Sequence, residues 1–169
     1  NWQDDVYREQ FLVKMMGILF MKRLESSWYS CMLTVEKVLN VHESLLAKVV
    51  DLKEKRQNGT VSTIIGDSFD DEELEELFTM HRKKDTVRLS DMKNLDGFEN
   101  GLRKDIEKLR IIYANLQSYQ RDYERKIEKD LKLDELVKIL EEKKQAANKK
   151  VVIFTVYADT AKFIYDELY

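Results

Sequence analysis

Apolar residues in this chain recur mostly at intervals of three and four, and that spacing predicts a protein built from long helices. From about Asp4 to Leu24 they are dense on every face: Phe11, Leu12, Val13, Met15, Met16, Ile18, Leu19, Phe20 and Met21. A helix of that kind is buried on more than one side, so this first element demands partners. Ser26 and Ser27 interrupt the run, and either hydroxyl can accept from the free amides of a following first turn. A second helix is expected from about Ser27 to Gln57. Its Cys31, Val35, Val38, His42, Leu45, Val49 and Leu52 form a heptad seam that stops at Asn58-Gly59. Phe98, Leu102, Ile106, Leu109, Tyr113, Leu116, Tyr123 and Ile127 repeat the pattern, with Tyr119 or Gln120 filling the one gap. Two seams of similar length predict an antiparallel helical hairpin or bundle.

Between the seams, Val61 to Ile65 suggests a short strand or an ordered loop. The acidic run Asp67 to Glu76 leads a short helix carrying Leu74, Leu77 and Phe78. Asp70 or Asp71 suits its positive end, and Arg82, Lys83 and Lys84 its negative end. Thr86 to Met92 reads as a loop or short strand. Asp134 to Ala147 makes a further helix with Leu136, Val137, Ile139 and Leu140 as its stripe and Asp134 as a cap.

At Lys149-Lys150 the character changes. Val151-Val152-Ile153-Phe154-Thr155-Val156-Tyr157 is β-branched and aromatic without alternation, the pattern of a strand buried on both faces of a parallel sheet. Ala158 to Tyr169 then reads as a helix with Ala161, Ile164, Tyr165 and Leu168 on one face. The fold class is therefore mainly α. Residues 1–148 form a helical bundle, and residues 149–169 form one β-α unit of an α/β lobe. One such unit cannot complete a sheet, so the strand is expected to pack on the hairpin or pair with another chain. The lack of an initiator methionine adds the expectation of a fragment.

Composition narrows the function classes. Among 169 residues there are no prolines and five glycines, where about 8 and about 12 are usual, which disfavours an all-β fold rich in turns. Charged residues reach 36% yet the net charge is −3, so a broadly basic nucleic-acid coat is excluded while local basic patches remain open. A single cysteine excludes an internal disulfide and a multi-cysteine zinc site, and favours a reducing, cytoplasmic setting. The most apolar stretch, Phe11 to Met21, is too short and too interrupted to span a membrane.

No glycine–lysine phosphate loop is present, so self-contained nucleotide hydrolysis is not expected, and no catalytic or cofactor-binding residue is assigned. His42, His81 and Cys31 have no metal-ligand spacing, and no metal is assigned. His42 and Cys31 lie on the apolar seam and read as core residues. The acidic run lacks the alternating ligands and central glycine of a calcium loop. Three basic patches could meet phosphates: Lys53-Lys55-Arg56, Arg82-Lys83-Lys84 and Lys143-Lys144-Lys149-Lys150. Each also lies near a predicted helix end, where cations suit the dipole.

Three stretches carry a resemblance. Val151 to Ala161 resembles the opening strand and helix of the second RecA-like lobe of superfamily-two helicases, their motif IV, including the aspartate-threonine-alanine of Swi/Snf-like members. Phe20-Met21-Lys22-Arg23-Leu24-Glu25-Ser26-Ser27 is similar to a segment of bacterial Swi/Snf-like helicases of restriction- and defence-associated types, where it links the first lobe to a helical insertion. Asp130-Leu131-Lys132-Leu133-Asp134-Glu135-Leu136 resembles a signature just before the second lobe. The resemblance implies the helical insertion and the start of a truncated RecA-like lobe. Its parent would be an ATP-dependent translocase, with ATP and magnesium held outside this segment.

The partners implied are double-stranded DNA and the remaining helicase lobes; no membrane is expected, and the terminal strand could self-associate. By the same resemblance Thr155, Tyr157 and Thr160, with Phe154, lie where the family approaches the nucleic-acid backbone. Alternatively Phe154 is core and Thr160 only caps a helix. Arg23 and Glu25 match the connecting signature and suggest a structural ion pair. Two other readings stand beside this one: a free-standing helical scaffold for a protein partner, and a nucleic-acid-binding helical module acting alone.

Overall fold

The computed structural model describes residues 2–57 and 94–169, with side chains from residue 13 onward in the first stretch. The acidic helix, the Val61–Ile65 and Thr86–Met92 segments and the Arg82–Lys84 patch lie outside the described residues. In chain order the elements are α1 (Trp2–Ser26), α2 (Trp28–Gln57), α3 (Leu95–Glu124), α4 (Leu131–Lys144) and α5 (Ala158–Leu168). The described chain is mainly helical, and no strand occurs among the described residues. No described helix is long and apolar enough to cross a membrane.

The chain divides into two compact units. One takes residues 1–37 and 110–169, the other residues 38–109, and both long helices contribute to each. In the second unit, Val49 and Leu52 of α2 pack with Leu95 and Leu102 of α3, surrounded by Leu45, Leu46 and Phe98. Residues late in α2 meet residues early in α3, so this unit is an antiparallel hairpin as the seams require. Its polar edge is an ion network. The Lys53 ammonium lies 2.5 Å from Asp96 and 2.7 Å from Glu99, and Arg103 reaches Glu99 at 2.7 Å. His42 is half-buried, with its Nδ1 2.8 Å from the Val38 carbonyl.

Asn94 begins α3: its carbonyl accepts from the Phe98 amide and its side-chain oxygen from the Gly97 amide at 2.9 Å. A Cβ on Gly97 would fall 2.5 Å from the Asn94 amide nitrogen, so any side chain there displaces the cap. At the far end of α3, Lys126 adopts φ 61°, the left-handed turn that stops a helix, while the Ile127 and Glu128 amides fold back onto the Asp122 carbonyl.

Two of the expected helices differ in detail, and the fourth also ends three residues early, at Lys144 instead of Ala147. The fourth helix starts three residues earlier than expected, because Asp130 and not Asp134 is the cap: its carboxylate accepts from the Lys132 and Leu133 amides at 3.0 and 3.1 Å. The last helix is rotated from the expected face. Thr160 and Phe163 are buried, whereas Ala161 and Tyr165 are exposed. Residues 151–156 pair with no strand, and their apolar side chains lie in solvent, Phe154 at 91% and Val156 at 80% exposure. A strand exists only through a neighbour's hydrogen bonds, and the described residues supply none.

Two outcomes follow for the hairpin core and its ion network. Leu102→Ala should lower the unfolding free energy by about 2–4 kcal/mol in a denaturant titration, whereas Ile111→Ala, at an exposed position, should stay within about 0.5 kcal/mol. Lys53 and Arg103 hold the Glu99 carboxyl below its ordinary range. The unfolded chain therefore takes up that proton at higher pH than the folded one. The stability Glu99 adds is full above its unfolded value and is lost as pH falls through the lower folded value. Glu99→Gln should flatten the acid limb of denaturant midpoint against pH between about 3 and 6.

Candidate functional site around Arg23

The first unit is organised by the break between α1 and α2. Ser27 is the single residue outside either helix, and its hydroxyl accepts from the Tyr29 amide at 3.1 Å while its own amide closes α1 on the Arg23 carbonyl. Arg23, one turn before the break, is 3% exposed. A charged guanidinium this deep requires an anion. Asp159 provides it at 3.1 Å from the first turn of α5, 136 residues away. The guanidinium also lies over the Tyr157 ring, 4.5 Å from its centre, and approaches the Ser30 hydroxyl at 3.5 Å.

Two further contacts close the junction. The Ser26 and Thr160 hydroxyls share a hydrogen bond of 2.8 Å. The Lys132 ammonium, at the start of α4, donates to the Glu25 carbonyl at the end of α1. Residues 20–27, 130–136 and 151–161, the three stretches that carry the resemblance, thus meet at one place within one unit.

An aromatic cluster lies beside them. Trp28 makes edge contacts with Tyr119 at 5.2 Å and Phe163 at 5.5 Å, and Tyr123 packs at 5.4 Å. Tyr29 stacks on Phe163. The Trp28 indole N–H is buried without a hydrogen-bond partner among the described residues. Tyr123 donates to Glu167 at 2.7 Å and Tyr113 to Glu36 at 2.5 Å. Burial and the Glu167 carboxylate push the Tyr123 hydroxyl well above its ordinary value, so it stays a donor.

The residues expected to approach nucleic acid lie together but at different depths. Tyr157 and Thr160 are buried, one under Arg23 and the other against Ser26, so both hold the junction together. Thr155 is half-buried, with its hydroxyl near the Tyr157 amide at 3.3 Å. Thr155, Tyr157 and Thr160 all line one open cleft of about 520 Å³, together with the exposed Phe154, Lys22, Glu25 and Ile164. Phe154 is therefore not core within the described chain. Arg23 takes part in a structural ion pair, with Asp159. Cys31 is buried, and burial pushes its thiol up, away from a reactive thiolate.

Sequence reading missed the aromatic cluster and the role of Lys132. Tyr119 and Tyr123 stand four apart on α3, and Trp28-Tyr29 opens α2, so the aromatic spacing was a usable signal. A lysine donating to a carbonyl 107 residues away leaves no such mark.

Comparison with protein-family models, curated proteins and solved structures finds no match.

Asp159→Asn removes the counter-charge of a nearly buried guanidinium. It should cost about 2–3 kcal/mol, below the fully buried case because Asp159 keeps some solvent. Hydrogen exchange should show lost protection at the α5 amides first, with the Leu95–Leu102 region unchanged.

Proposed function

We propose that this chain is the helical insertion and the opening of the second RecA-like lobe of an ATP-dependent nucleic-acid translocase of the Swi/Snf-like type. The observation that carries the reading is the convergence at Arg23. Three sequence stretches that were singled out separately, and lie far apart along the chain, contact one another through Asp159, Thr160, Lys132 and the end of α1. A chance resemblance in three places gives no reason for them to meet.

The exposed run 151–156 supports the same reading, since six consecutive residues with five apolar side chains suit a central strand whose neighbours belong to the remaining lobe. In this reading the helical unit braces the lobe and has no chemistry of its own. Arg23 and Asp159 position the first helix of the lobe, Thr155 and Phe154 sit at the strand's carboxyl end, where ligands of open α/β sheets bind, and double-stranded DNA is the partner. ATP and magnesium act between lobes outside this segment, in a cytoplasmic protein.

Sequencing the coding region on both sides tests this directly. A glycine-lysine-threonine loop and an acidic magnesium motif upstream, with an arginine motif downstream, are expected; stop codons in their place would sink the reading and leave a scaffold. In the full gene product, Asp159→Asn should lower DNA-stimulated ATP turnover by about tenfold while nucleotide affinity is unchanged, the pattern of a positioning defect.

A further inference from the structure

We propose that α4 is a strap, latched to the end of α1 by Lys132, that lifts and closes as a separate unit while the Arg23–Asp159 pair keeps α5 in place. This inference goes beyond the translocase reading and does not depend on it.

Burial sets α4 apart. None of its 14 residues is buried. Each of the other four helices has at least two buried residues: Leu19 and Arg23 in α1, Thr160 and Phe163 in α5, and more in α2 and α3. The apolar stripe of α4 is present, but Leu133, Leu136, Val137 and Leu140 are only half-buried, and Leu131 and Ile139 are exposed. Elements with so little buried apolar surface open before the rest of a protein unfolds.

Packing beneath the helix is also incomplete. Leu133 and Leu136 of α4, Phe163 and Ile164 of α5, and Ser26 and Thr160 line a cavity of about 60 Å³. That is room for about two water molecules, whereas a well-packed interior leaves few gaps of that size.

One polar contact holds α4 down. Among the described residues, Lys132 is the only α4 side chain with a hydrogen bond or ion pair to another helix, and its ammonium donates to the Glu25 carbonyl. Lys138 pairs with Glu135 inside α4. The two ends of the helix differ as well. The Tyr119 hydroxyl donates to the Lys129 carbonyl at 3.0 Å and fixes the entry, and Asp130 caps the first turn. Past the exit, no residue from 145 to 156 is buried, and none pairs with a strand among the described residues. The hinge is therefore at residues 129–130, and the Lys132 contact just inside it decides whether α4 lies down. Arg23 and Asp159 do not line the cavity, so lifting α4 wets the Ser26–Thr160 hydroxyl pair and leaves the ion pair shut.

Hydrogen exchange of the whole chain, read by mass spectrometry, tests the strap. Undocked, a helix of this length is marginal in water, so lifting exposes its amides. Amides of residues 135–144 should exchange at least about tenfold faster than those of residues 162–168 in α5. Lys132→Met keeps the aliphatic stem and removes the donor. It should speed exchange in 135–144 by about fivefold, as expected for the loss of one hydrogen bond, and leave 162–168 within about twofold. Lys138→Met breaks only a contact inside α4 and should change neither region by more than about twofold. A second readout is thiol labelling of Leu136→Cys at the cavity wall. Lys132→Met should accelerate it by the same factor, while the buried Cys31 stays unlabelled. Equal protection of 135–144 and 162–168 would overturn the proposal. So would exchange of 135–144 at the unprotected rate, since a helix that never docks is no strap. An unchanged rate in Lys132→Met, or equal acceleration in Lys138→Met, would overturn Lys132 as the latch and the proposal with it. None of these outcomes involves nucleic acid, so the translocase reading stands or falls separately.

Discussion

A guanidinium held almost entirely out of water is the constraint on which the first unit depends. Arg23 sits where α1 gives way to α2, and Asp159, the Tyr157 ring and Ser30 are among the groups that make its charge tolerable there. That requirement fixes the start of α5 against the end of α1. The Ser26–Thr160 bond and the Lys132 contact to Glu25 then fall into place around it. An apolar side chain at position 23 could fill the space, but it would not select Asp159 over any other first-turn residue. The ion pair contributes orientation more than stability.

The second unit follows a different logic. Its Val49, Leu52, Leu95 and Leu102 core is ordinary heptad packing, and its charges lie at the rim, where Lys53 bridges two carboxylates in partial contact with water. Burial holds this hairpin together, and the ion network sets its acid sensitivity. Among the described residues no set of three or more metal-ligating side chains comes together.

Helices were legible in the sequence wherever apolar spacing persisted. The seam from Cys31 to Leu52 falls in α2, and the seam from Phe98 falls in α3 up to Tyr123, because a period of three and four is imposed by burial along one face. The last member of the second seam, Ile127, lies exposed past the helix end. The α4 start was misplaced, since two aspartates four apart compete for the cap and only the backbone geometry decides. The α5 face was misjudged for a related reason. Thr160 is polar and was set outside the apolar stripe, yet its hydroxyl is buried because Ser26 satisfies it. The run 151–156 has strand chemistry but no partner strand among the described residues, since a β pattern specifies a preference and not a partner. Of the site, the motif stretches were legible, but their convergence was not, because side-chain contacts across 107 to 136 residues leave no local periodicity.

The division of the first unit between the two ends of the sequence has a kinetic meaning. The hairpin in the second unit is assembled from residues 38–109, whereas the first unit joins residues 1–37 to residues 110–169. Ordered loop closure costs entropy that grows with separation, so the local hairpin is the natural nucleus and the Arg23 junction closes last. On a ribosome adding roughly 5–20 residues each second, α1 waits on the order of ten seconds before Asp159 has been made. Throughout that interval Arg23, 3% exposed in the folded chain, has no Asp159 to pair with. The order of synthesis, as well as the final packing, therefore bears on how the first unit closes.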